Sequence, residues 1–269
     1  MAQARPGTLP VNILRFEIDN HHCTADLARG VSLAIPLQFS GPQPNFFDAP
    51  QASATPLQAG SFTGDTHQGG SCNVGDYHLV PHCNGTHTEC IGHIVDDATV
   101  VTEQLRASLL PATLVTLMPR HNIIDAALIK TSLQHHPLRG LHAAFVIRTL
   151  PNSKEKLSRR YNPVMPPAHV ADDAVTLLVE AGVEHLLLDL PSLDPMQDEG
   201  RLAAHRAFWG LPAGSRRQRE ALRPHGTVTE MIYVPDQVKD GYYLLDLQIP
   251  AFMSDAAPSR PLIYPVEIK

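Results

Sequence analysis

The stretch His82-Cys83-Asn84-Gly85-Thr86-His87-Thr88-Glu89-Cys90-Ile91-Gly92-His93 constrains this chain more than any other. It gathers three histidines, two cysteines and a carboxylate around a Gly-Thr pair. Its flanks, Tyr77 to Val80 and Ile94-Val95, are apolar and β-prone, so the stretch reads as a strand that ends in a turn. Alternate residues of a strand share a face, which puts Cys83, Gly85, His87 and Glu89 on one side. His82, Asn84, Thr86 and Thr88 then take the other. Thiolate, imidazole and carboxylate on one face are ligand types that zinc accepts, and the glycine leaves room for a bound atom. The same residues also fit a packed strand, with His87 a hydrogen-bonded core histidine, Glu89 a solvated edge residue and the cysteines small apolar fillers. The spacing matches no closed zinc pattern such as paired CxxC, so the rest of the chain has to decide.

The chain has 269 residues, enough for one large domain or two small ones. Net charge is −6 with no basic stripe, which argues against nucleic acid as a partner. The densest basic run, Ser215 to Arg219, reads as a solvated face. No apolar run reaches the roughly 18 residues of a membrane span, and the first residues lack the apolar core of a signal peptide. A cytoplasmic location is the expectation. Four cysteines are too few to scaffold a chain of this size and read as free thiols or ligands.

Along the chain, residues 1 to 70 read as irregular with short strands, one of them Val31 to Leu37 with Pro36 at an edge or end. Gly41 to Pro56 reads as a long loop. Its Phe46-Phe47 pair either covers a substrate pocket or anchors the loop. Strands are expected at Ala112–Leu117, Ala143–Arg148, Thr227–Val234, Tyr242–Ile249 and Leu262–Val266. Helices are expected over 122–134, Asp172–Ala181, closed by Gly182, and Glu199–Trp209. Asn152 to Pro167 and Asp255 to Pro261 read as loops, and His135-His136 as a surface turn. Val183 to Pro195 follows a helix and a glycine with an apolar run that ends in Ser192 and Asp194, the pattern of an αβ unit with polar groups at the strand end. Those two residues mark a site or cap the next turn. His205 falls on the apolar stripe of its helix, as a core histidine or a ligand. Glu230 falls among apolar neighbours, where a carboxylate needs a partner, a proton or a metal. No P-loop, dinucleotide-binding glycine motif or GxSxG elbow is present.

Cys83-Asn84-Gly85-Thr86-His87-Thr88-Glu89-Cys90-Ile91-Gly92-His93 resembles the signature His-x-Gly-Thr-His-x-Asp-x-Pro-x-His of the cyclase family of metal-dependent hydrolases. That family includes bacterial kynurenine formamidase and isatin hydrolase. Leu187 to Pro195 resembles its G-I-D-T-P-S-V-D segment, and His205 and Glu230 fall where its later ligands do. The resemblance implies a mixed α/β fold of swivelling β/β/α type, with residues 26–269 as one domain behind a 1–25 extension. It also implies a dimer or tetramer. By position, Cys83, His87 and Glu89 hold a first metal, Glu89, His205 and Glu230 a second, and His93 is the acid–base group. Three departures stand out: Cys83 replaces a histidine, Glu89 an aspartate and Ile91 a proline. A thiolate favours zinc over manganese. His82 takes the place of Cys83 only if a bulge at Gly85 reverses its facing.

The activity so implied is hydrolysis of an amide, arylformamide or lactam by metal-activated water. His93 shuttles the proton, backbone N–H groups near Ser192 steady the oxyanion, and Phe46, Phe47 and Trp209 line a small-molecule pocket. A ligand-binding protein with a degenerate site on the same fold, and a metal-dependent cyclase or lyase, are the alternatives.

Overall fold

Three largely apolar runs, joined by the Thr227–Glu230 stretch, become the parallel centre of the fold, because strands covered on both faces are apolar along most of their length. The structure, a computed structural model, describes residues 12–269. Its main sheet contains β1 (Ile13–Ile18), β2 (His21–Asp26), β3 (Val31–Ser32), β4 (His87–Glu89), β5 (Leu109–Leu117), β6 (Ala144–Thr149), β7 (His185–Leu188), β8 (Thr227–Glu230), β9 (Gly241–Asp246), β10 (Ala256–Pro258) and β11 (Leu262–Ile268). The spatial order is β1-β2-β11-β9-β5-β6-β7-β8-β4-β10, with β3 paired to β11. Strands β5 to β8 run parallel; β9 joins β5, and β4 joins β8, in the antiparallel sense. The helices are α1 (Pro81–Asn84), α2 (Val101–Gln104), α3 (Ala126–His135), α4 (Asp172–Glu180) and α5 (Ala203–Trp209).

Alternation along the central strands divides the core in two. Val115, Phe145, Ile147, Leu186 and Leu188 pack under Ile129 of α3, Val175 and Leu178 of α4 and Phe208 and Trp209 of α5. Leu114, Val146 and Leu187 face the other way, against Leu33, Ile232, Val234, Leu245 and Ile263. Each such side chain contributes about 1.5–3 kcal/mol by leaving water. Among the described residues no helix is long and apolar enough to cross a membrane.

Several expected boundaries move, each for a local reason. Helix α3 starts at Ala126 because Asp125 accepts the Leu128 N–H at 2.9 Å, while Ile123-Ile124 pairs with His169-Val170 as a short parallel ladder. Helix α5 starts at Ala203, since Glu199 and Leu202 both hold positive φ. The strand expected to reach Val234 stops at Glu230, where Met231 turns to φ 52°. The strand expected over Val31 to Leu37 is two residues long, with a single bridge from Ala34 to Ile232. The loop expected over Asp255 to Pro261 contains β10, which pairs with β4. Of the expected 1–25 extension, residues 1–11 lie outside the described residues; from Ile13 the chain forms the β1–β2 hairpin, and β2 is hydrogen-bonded to β11.

His185 opens β7, buried, with its Nδ1 2.9 Å from the Thr227 hydroxyl. Burial, with the nearby Arg223 charge, pushes its pKa down to about 4. Unfolding releases the ring to an ordinary value near 6.5. Between those pH values the unfolded chain binds the proton and the folded one does not, so stability is present above pH ~6.5 and falls as pH drops towards 4. The contribution is at most about 3 kcal/mol. Urea unfolding of chelator-treated protein should show this loss, and His185→Gln should flatten the slope. An unchanged slope in that variant would refute the assignment.

Candidate metal centre

The site is built where α1, β4, the 3-10 turn Ile91–His93, the loop after β7, α5 and β8 meet. Pro81 opens α1 at its first position, where its fixed φ suits a helix and its missing N–H costs nothing. The turn is tied down by the Asn84 side chain, which accepts the Val80 N–H at 2.6 Å and donates to Pro50 O at 3.1 Å. Gly85 then adopts φ 158°, ψ −165°, a region essentially confined to glycine. It swings the chain from the helical turn into β4. Within β4, His87 and Glu89 share the inner face, while the Thr88 hydroxyl bonds Thr229 on the other at 2.8 Å. Register places Glu230 of β8 opposite His87. Pairing of β10 with β4 brings in Asp255. Gly92 permits this approach, since a Cβ there would sit 2.3 Å from Thr99 O and 3.0 Å from the Asp255 Cβ.

Four histidines and four carboxylates converge. Glu89 Oε1 lies 2.9 Å from His205 Nε2, and Glu89 Oε2 lies 2.9 Å from His82 Nδ1 and 3.9 Å from His93 Nδ1. Glu230 reaches His87 Nε2 at 3.5 Å and His205 Nε2 at 3.6 Å, and accepts the Leu193 N–H at 2.8 Å. Asp255 Oδ2 lies 2.8 Å from His82 Nε2 and 3.7 Å from His93 Nδ1. Asp194 accepts the Ala204 and His205 N–H groups and holds His205 Nδ1 at 2.5 Å. His87, Glu89, His205 and Glu230 are buried, whereas His82, His93 and Asp255 keep 26 to 36% of their side chains open and form the rim.

Three of these rings share one arrangement. Each has one nitrogen held by an acceptor: Asp255 for His82, the Gly85 carbonyl for His87 and Asp194 for His205. The other nitrogens, His82 Nδ1, His87 Nε2 and His205 Nε2, are buried with no hydrogen-bond partner, and so is Glu89 Oε1. Short N···O approaches without hydrogen-bond alignment are expected where a cation sits between the atoms. An unsatisfied buried polar atom costs about 1–3 kcal/mol, and a carboxylate or carbonyl behind a ligating histidine is what orients such a ring. The residues therefore fit a divalent metal. Two groups span coordination distance among the described residues: His87, Glu89 and Glu230 inside, and His82, Glu89 and His93 towards the rim.

The electrostatics agree. Burial opposes the charge on Glu89, yet His93, His205 and His82 hold its carboxyl well below the usual range. Burial and the Glu89 charge oppose Glu230, which is still lowered by His205 and His87. Despite burial, Asp194, Glu230 and Glu89 raise His205 well above an ordinary imidazole. Likewise Asp255 and Glu89 raise His82 to about 10 against its burial. Four carboxylates in one pocket draw positive charge, as protons on imidazole or as a cation.

His87, Glu89, His205 and Glu230 meet as the sequence suggests, with His93 at the rim. Cys83 does not join them. It lies on a helical turn rather than a strand, and packs with Phe46, Tyr161 and Met231. The expected strand facing fails at 81–84 for that reason, and His82 turns inward without a bulge. Phe46 is buried against Tyr161, and Phe47 is 61% exposed with its ring centroid 3.9 Å from that of Phe46. Trp209 lines no open pocket: it is fully buried, stacks on His205 at 5.5 Å and donates to Gly226 O. Near Ser192 the backbone donors are engaged, Leu193 N–H by Glu230 and Asp194 N–H by the Ser192 hydroxyl, so neither is free for an oxyanion. Asp255 escaped the sequence reading.

Comparison with known proteins points one way. Kynurenine formamidase of Bacillus mycoides (strain KBAB4) is 27% identical over 199 residues, 73% of this chain and 82% of that protein. The Bacillus anthracis enzyme of the same name is 26% identical over 202 residues, 74% of this chain and 83% of its own. The fold is shared with a structure described as a predicted metal-dependent hydrolase from Bacillus stearothermophilus, at TM-score 0.60 and 19% identity, covering 87% of this chain and 97% of that one. It is shared too with an isatin hydrolase bound to the product analogue thioisatinate, at TM-score 0.61 and 13% identity, covering 88% and 92%. A family model described as "Putative cyclase" matches residues 26–195, more than half of the chain. The chain belongs to the cyclase family.

Proposed function

We propose that the protein is a metal-dependent hydrolase that cleaves a C–N bond in a small amide, arylformamide or lactam. The observation that carries this reading is the convergence of His82 Nδ1, His87 Nε2, His205 Nε2 and Glu89 Oε1, all buried and all without hydrogen-bond partners. The names of the relatives, kynurenine formamidase and isatin hydrolase, support the same reaction class. When bound, a divalent ion supplies Lewis acidity, making water more acidic and a carbonyl more electrophilic. His87, Glu89, His205 and Glu230 hold it, and Asp194 and Trp209 fix the His205 ring. His93 stands at the open rim with Asp255 beside it. It accepts the proton of the attacking water and delivers it to the leaving nitrogen. The exposed Phe47, resting on the buried ring of Phe46, covers the apolar side of the substrate.

An imidazole and carboxylate donor set accepts zinc or manganese; the thiolate preference for zinc applies only where Cys83 is a ligand. Zinc, a homo-oligomer and a cytoplasmic location complete the proposal, and no nucleic acid or membrane partner is part of it. The test is turnover of aryl formamides, isatin-like lactams and cyclic imides by chelator-stripped and metal-restored protein. Metal-dependent hydrolysis of at least one class is expected. Ligand-induced thermal shifts without turnover at any metal would instead indicate a binding protein.

A further inference from the structure

We propose that His82 is a metal ligand in this chain and that Cys83, which occupies the first position of the aligned signature, is not. The inference rests on the metal-dependent reading above and adds His82 to the ligands named there, through the Glu89 carboxylate they share. Three observations carry it.

The first is the backbone. Residues 81–84 form a helical turn, in which neighbours point about 100° apart. His82 and Cys83 therefore leave the turn in different directions. Cys83 packs with Phe46, Tyr161 and Met231, while its carbonyl accepts the Phe46 N–H at 3.0 Å. His82 takes the inward direction. Among the described residues, neither group within coordination span includes Cys83, and the rim group of His82, Glu89 and His93 includes His82.

The second is the state of the His82 ring. Its Nε2 is held by Asp255 at 2.8 Å, and its Nδ1 is buried, unpartnered and 2.9 Å from Glu89 Oε2. His87 and His205 show the same division between one held and one free nitrogen. A histidine with a carboxylate behind it and a free nitrogen aimed at another carboxylate is arranged as a ligand is.

The third is the match between two departures from the signature. Glutamate at position 89 is one methylene longer than aspartate, and its oxygens diverge, Oε1 to His205 and Oε2 to His82. A ligand displaced by one residue and a carboxylate with longer reach meet at 2.9 Å. Asp255 then acts on His82 as a positioning residue, delivered by the β10–β4 pairing.

The experiment uses the full chain loaded with cobalt(II). A thiolate ligand gives an intense near-ultraviolet charge-transfer band that imidazole and carboxylate do not. We expect no such band in the wild type, and the same cobalt stoichiometry and visible spectrum in Cys83→Ser. His82→Ala should bind cobalt on the order of 100-fold more weakly, and Asp255→Asn about 10–100-fold more weakly. A thiolate band in the wild type that disappears in Cys83→Ser would overturn the assignment and leave the hydrolase reading in place. A wild type that binds no cobalt or zinc at all would overturn both. The wild-type spectrum decides the Cys83 question even if a variant fails to fold.

Discussion

Replacing Glu89 with alanine should strip the protein of bound metal and lower kcat/KM by roughly a thousand-fold or more, because a bound ion stabilises transition-state charge by several kcal/mol. Glu89 is the one residue common to both coordination groups. Its Oε1 faces His205 and its Oε2 faces His82 and His93. Without it, His82 Nδ1 and His205 Nε2 each lose the carboxylate oxygen 2.9 Å away. Glu89→Asp keeps the charge but shortens the reach, and should lose about 10–100-fold in metal affinity, the scale seen when the geometry around a ligand is disturbed. Metal content after dialysis, together with kcat/KM on the best substrate of the panel, checks both variants. Near-ultraviolet circular dichroism shows that each remains folded. Wild-type metal content in Glu89→Ala would contradict the centre as described.

Lys156→Met should cost about 3–5 kcal/mol of stability, since it leaves a buried carboxylate without its counter-ion. Lys156 is 6% exposed, and its ammonium is held by Asp189 Oδ2 at 2.7 Å, Thr149 O at 2.7 Å and the Thr149 hydroxyl at 3.0 Å. Asp189 also accepts the Thr149 N–H at 2.9 Å. Burial already raises the Asp189 carboxyl, and Lys156 is the main opposing influence. Without that ammonium, folded Asp189 binds a proton more readily than unfolded Asp189 does. The variant should therefore regain stability as pH falls. Denaturant midpoints at neutral and mildly acidic pH measure this, and Lys156→Met with Asp189→Asn should recover part of the loss. A difference under about 1 kcal/mol at neutral pH would mean that the pair behaves like a surface ion pair.

The centre of the sheet was legible because its signal is local. Ala144 to Thr149 and His185 to Leu188 are short apolar runs bounded by turn residues, and that suffices for strands covered on both faces. Lys156 was not legible, since a charged, proline-rich segment reads as solvent-exposed and nothing nearby in sequence announces Asp189. The β1–β2 hairpin carries a local signal of its own. Ile13 to Ile18 alternates, and Asp19-Asn20 supplies two residues with positive φ, as a two-residue hairpin loop requires. At the site, His87, Glu89, His205 and Glu230 were readable from motif and facing. Helix α1 was hidden by its β-prone neighbours, although Pro81 marked its start. Asp255 could not be seen, because its place depends on β10 finding β4 across most of the chain.

The most direct test of the central claim is the metal content of full-length protein purified without chelator, measured by elemental analysis before and after chelator treatment and reloading with zinc or manganese. A wild type holding one or two divalent ions per chain, with His87→Ala and Glu230→Ala losing them, is the predicted result. A wild type that takes up no metal, or both variants retaining its full complement, would contradict the account.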